Sequence, residues 1–227
     1  MNVISATGGS GSSFLYREFK KAGWKICLRP DGGSQKNNCD PIEHYKDRTR
    51  GFLKDVDYML TEKGRCDLIL DKLRNKEKTM VLCMTWGGLG FLQDEMAVIY
   101  LLRNPLYAFT SYSGGGWRKE GGEARIKKVG AKGPNDIRWV DAFFGWFSHW
   151  SNGARYALDA HNRGTGYIVR YDRLPDDWKK LPGRLPKVYK GFECKDDFNK
   201  VKRFLDTGTI DYIQEMTHDI WSTISKL

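Results

Sequence analysis

The chain of 227 residues lacks any apolar run approaching the roughly 18 residues of a membrane span. Its opening, MNVISATGGSGSS, has no basic stretch leading into a long apolar one, so no secretory signal is readable. Both absences set the expectation of a soluble, cytoplasmic protein. Cysteine is sparse: Cys27, Cys39, Cys66, Cys83 and Cys194 are odd in number and form no C-x-x-C pair. That argues against a disulfide framework or a zinc site and fits a reducing compartment. Internal repeats and long low-complexity tracts are missing too. The length suits one domain over 1–227, able to bury a core without staples.

What is abundant is positive charge. Lys and Arg number 38 against 28 Asp and Glu, a formal balance of +10. The resulting field favours anionic partners without choosing among nucleotide, nucleic acid, acidic glycan or membrane surface. The densest basic stretch, Arg118–Lys132, is broken by glycines and reads as part of a mobile loop over 113–134.

Apolar patterning alternates strand and helix. Val3–Ala6, Trp24–Leu28, Thr79–Thr85, Ala97–Arg103 and Tyr167–Tyr171 read as strands. Ala97–Arg103 is apolar at nearly every position, as a parallel strand covered on both faces should be. Helices are expected at Ser12–Gly23, Thr61–Lys76, from Pro105 to about Tyr112, at the aromatic-rich Asp136–His161, and at Asp196–Leu205 and Thr209–Ser225. Strands separated by helices predict an α/β fold with a central, mostly parallel sheet and helices on both faces.

Two constellations carry chemistry. The first is VISATGGSGSSFL, a strand, a glycine–serine loop and a helix start. Gly8, Gly9 and Gly11 let the backbone turn tightly, and Ser10, Ser12 and Ser13 add hydroxyls beside Phe14. Unpaired N–H groups and the helix dipole then converge on one spot, an arrangement suited to an anion. The loop lacks the Walker lysine of G-x-x-x-x-G-K-[ST] and does not match G-x-G-x-x-G. The second constellation is VIYLLRNPLYAFTSY. Arg103 ends a buried strand, and Ser111 lies eight positions on, in the following helix. Two outcomes fit this spacing. Either the planar Arg fork and the Ser hydroxyl grip one phosphate, or Arg103 pairs with a carboxylate and Ser111 faces water.

The R-N-P-x-x-x-x-x-S pattern resembles the 3′-phosphate motif of sulfotransferases that use 3′-phosphoadenosine 5′-phosphosulfate. Ser10, Gly11, Ser12 and Ser13 resemble that family's phosphosulfate loop, and YIVRYDRL at Tyr167–Leu174 is similar to its R-Y-E-D-L strand end. The resemblance implies a P-loop-like three-layer fold and transfer of a sulfuryl group to a hydroxyl or amine acceptor, with a carbohydrate among the candidates. It further implies adenosine 3′,5′-bisphosphate as product, with no metal required. The partners are then the nucleotide donor and a small-molecule or glycan acceptor, with no specific nucleic acid. On this reading Gly8 to Phe14, Arg103, Ser111 and Tyr171 bind the donor, although Tyr171 equally suits a buried strand end. Two positions depart from the family. Gly9 stands where a Lys or Arg is usual. The place of the K-T-H histidine is taken by Met84, Thr85 and Trp86. The base is then sought in CDPIEHYKDR, at His44 or Glu43. A nucleotide kinase or other P-loop phosphotransferase, and a non-catalytic nucleotide or nucleic-acid binder, are the competing readings.

Overall fold

The computed structural model describes residues 3–6, 9–28, 79–83, 97–114, 137–203 and 205–227. Five strands form one sheet: β1 (Val3–Ala6), β2 (Lys25–Leu28), β3 (Thr79–Cys83), β4 (Val98–Leu102) and β5 (Gly166–Arg170). Their order is β2-β3-β1-β4-β5. All four pairings are parallel, with Val3 facing Val81 on one side and Val98 on the other. The expected parallel sheet is therefore present, and β1 lies at its centre.

Side chains alternate across the sheet, so each strand feeds two cores. Val3, Val98, Tyr100 and Leu102 face one side. They pack against α2 (Pro105–Gly114), α3 (Ile137–Asn162), α5 (Phe198–Lys202) and α6 (Thr207–Ser225). Ile4, Ala6, Ile99, Leu101 and Val169 face the other side, against α1 (Ser12–Lys21) and α4 (Leu174–Lys179). The amphipathic patterns explain the sorting. Leu15 and Phe19 put one stripe of α1 inward, and Ile210, Ile213, Thr217 and Ile224 do the same for α6. On α3 the inward face carries Ala154, Ala157 and Ala160. These small residues let the helix lie close to β5, where a Cβ on Gly166 would stand 2.7 Å from the Ala160 Cβ and 2.8 Å from the Tyr100 ring.

Most boundaries shift by a residue or two, and three differences bear on the site. β5 stops at Arg170, and Tyr171–Arg173 form a 3-10 turn. The short helix α4 was not expected, although Pro175 and the acidic Asp176 and Asp177 in its first turn are helix-start signals. The helix expected from Asp196 begins at Phe198. Asp197 has an extended backbone and its side chain accepts from the Asn199 N–H, so it caps the helix from outside. The helix expected over Thr61–Lys76 and most of the 113–134 loop lie outside the described residues.

Candidate functional site

The sheet order creates the site. The chain leaving β1 enters α1 on one face, and the chain leaving β4 enters α2 on the opposite face. β1 and β4 are neighbours, so a crevice opens between their carboxyl ends, where ligands bind in open α/β sheets. The glycine–serine loop borders this crevice on one side and Arg103 on the other.

In the loop, Gly11 has φ 94° and precedes α1 with no side chain capping the helix. Its carbonyl accepts from the Phe14 and Leu15 N–H groups. The earlier N–H groups of α1, at Ser12 and Ser13, have no acceptor within the helix by geometry and lie at its positive end. Any residue but glycine would be strained at this φ, and a Cβ on Gly11 would meet the Tyr171 ring at 2.7 Å. Ser10 is buried, Ser12 is half-buried, and Phe14 packs edge-on against Phe192 with ring centroids 5.2 Å apart.

Arg103 is almost fully enclosed, its side chain 7% exposed. Nη1 donates to the Gly9 carbonyl at 2.7 Å, which ties the end of β4 to the loop after β1. Nε donates to Asp196 Oδ1 at 2.7 Å, and Nη2 lies 2.6 Å from the same oxygen. The guanidinium carbon sits 4.2 Å from the centre of the Tyr171 ring. From behind, the buried Trp150 indole N–H donates to the Arg103 carbonyl at 3.2 Å and fixes the backbone.

No protein-family model matches the chain, and no curated protein or solved structure matches it significantly.

Among the residues expected to bind a donor, Gly9, Arg103 and Tyr171 are in contact, and Gly11 abuts Tyr171. Ser111 is exposed on α2, and with Arg103 paired to Asp196 the structure shows the second of the two arrangements that the spacing allowed. Tyr171 is buried and also lies edge-on to Phe192 at 5.2 Å. Its phenol is raised above the ordinary value by burial, with Arg103 opposing. Gly8, His44, Glu43 and Trp86 lie outside the described residues, as does the Ser13 side chain. Lys20 and Lys21 are exposed at the far end of α1, with Lys20 about 12 Å along the axis from Ser12. Lys21 is paired with Glu18 at 2.7 Å.

The residue that sequence reasoning missed is Asp196. Burial pushes its carboxyl above the ordinary value, and the Arg103 guanidinium pulls it back without overcoming that push. No local spacing announces this pair, because 93 positions separate the partners. The arrangement as a whole sets the helix N–H donors of α1 beside a cationic fork that Asp196 occupies. Among the described residues no group of His, Cys, Asp and Glu is arranged to hold a metal ion, and no helix is long and apolar enough to cross a membrane.

Proposed function

We propose that the protein is a sulfotransferase of P-loop-like architecture. It moves a sulfuryl group from 3′-phosphoadenosine 5′-phosphosulfate to a hydroxyl or amine acceptor. One observation carries the reading: the glycine–serine loop at the start of α1 and Arg103 at the end of β4 meet at one crevice, joined through Gly9. The loop after the central strand, leading straight into a helix, supports the P-loop-like part of the proposal.

On this reading the backbone of Gly9 to Ser13 receives the phosphosulfate, and Arg103, assisted by Ser111, receives the 3′-phosphate. Sulfuryl transfer then needs an acceptor oxygen in line with the sulfur. It also needs donors aimed at the charge that develops on the leaving phosphate. The uncapped N–H groups of α1 serve that second need without a metal. A base from the segment holding Glu43 and His44 takes the acceptor proton.

The test is thermal unfolding with adenosine 3′,5′-bisphosphate, ADP and ATP at equal concentration. A ligand at about 100 times its Kd stabilises a protein by about 2.7 kcal/mol. Protection is expected from the 3′,5′-bisphosphate and not from the other two. Equal protection by all three, or none by any, would overturn the assignment and leave Arg103 and Asp196 as a structural ion pair.

A further inference from the structure

We infer, on the donor reading just proposed, that Asp196 is a built-in competitor for the seat of the 3′-phosphate, and that the nucleotide must displace its carboxylate from the Arg103 fork to bind. Each of the three guanidinium nitrogens is already engaged. Nε and Nη2, the side-on donor pair suited to two phosphate oxygens, both point to Asp196 Oδ1. Nη1 is engaged by the Gly9 carbonyl, and the Tyr171 ring covers a face. With so little of the side chain exposed, a phosphate gains a two-point grip only by taking the carboxylate's place.

Residues 180–197 run from α4 to α5 with no helix or strand of their own, so displacing part of them unfolds no element. The front of this strap is anchored: the Trp178 indole N–H donates to the Pro186 carbonyl at 2.9 Å, and Val188 is buried. Its far end is fixed by Asp197 capping α5. Between these anchors, Phe192 rests edge-on against Phe14 and Tyr171. The strap therefore touches both the start of α1, through Phe192, and the fork, through Asp196.

The exchange is balanced. Asp196 offers Arg103 one oxygen and carries the cost of a half-desolvated carboxylate, which it sheds on returning to water. A phosphate brings two oxygens and more charge. A nucleotide without a 3′-phosphate has nothing with which to dislodge the carboxylate. Selectivity then arises as much from the competitor as from the fork.

The experiment titrates adenosine 3′,5′-bisphosphate and adenosine 5′-monophosphate into the wild type and Asp196→Asn by calorimetry. The amide keeps an acceptor for Arg103 but forfeits the charge. The bisphosphate should bind the variant about tenfold tighter, the difference between a charged and a neutral hydrogen-bond partner, with the monophosphate unchanged. A second measurement needs no variant. Cys194 is exposed and lies two positions from Asp196 on the same strap, so its alkylation rate, followed on its own peptide by mass spectrometry, should change severalfold with the bisphosphate and not with the monophosphate. Bisphosphate binding of equal strength to both proteins, with Cys194 labelling unmoved, overturns the competitor while sparing the donor site. Failure of the bisphosphate to bind either protein overturns the donor reading, and the competitor with it. If Asp196→Asn does not fold, the Cys194 measurement decides alone.

Discussion

Arg103 has two duties, and they separate under mutation. It offsets the buried Asp196 carboxylate, and on the proposed function it selects the 3′-phosphate. Arg103→Ala should lower stability by about 2–3 kcal/mol, because an incompletely hydrated carboxylate is left without its partner. Urea unfolding measures that loss. In the same variant, the difference in thermal protection between the 3′,5′-bisphosphate and ADP should vanish. A variant that loses stability yet keeps the preference would show that Arg103 is structural and that selectivity resides elsewhere. The Gly11 position offers no such separation, since its φ and its contact with Tyr171 both forbid a side chain.

At the scale of the element, α6 shows how a helix end writes pH dependence into stability. Asp206 caps it by accepting from the Thr209 N–H at 2.7 Å, and that bond holds its carboxyl below the ordinary value. A lowered carboxyl contributes stability that is fully present above the unfolded-state value and is lost as pH falls through the folded one. Asp206→Ala should cost about 1 kcal/mol near neutral pH. The gap between variant and wild type should close in acid, once the native cap is protonated. Denaturant midpoints collected across the acid range check this. A gap independent of pH would mean that the alanine acts through something other than the lost carboxylate. The same charge preference applies at α1, whose start has no capping side chain.

At the scale of the whole molecule, the net charge of +10 makes anion binding salt-sensitive. Protection by the bisphosphate should weaken steadily as sodium chloride is raised. The enclosed Arg103 contact should leave a residue of protection at salt concentrations that screen exposed lysines. Complete loss at modest salt would indicate surface adsorption. Much of the fold was legible because its signals are local. The unbroken apolar run at β4 marks a doubly covered strand, and the glycines after β1 mark the turn into α1. The site was half legible for the same reason: Gly9, Gly11 and Arg103 stand beside strand ends. Asp196 was not, since a pairing between an arginine on β4 and a carboxylate on a strap after α4 depends on tertiary closure. Tyr171 was legible as a residue near the strand end. Its place between Gly11 and Arg103 depends on β5 lying beside β4, which no run of sequence records.

The contact of Tyr171 with both Gly11 and Arg103 has a mechanical consequence. One aromatic ring touches the turn that starts α1 and also supports the cation at the end of β4. On the proposed function, a ligand group lodging in the turn would press on the same plate that carries the guanidinium. The two anchor points are therefore not springs in parallel but ends of one lever. Their binding free energies should be non-additive, with the first group to arrive setting the geometry that greets the second.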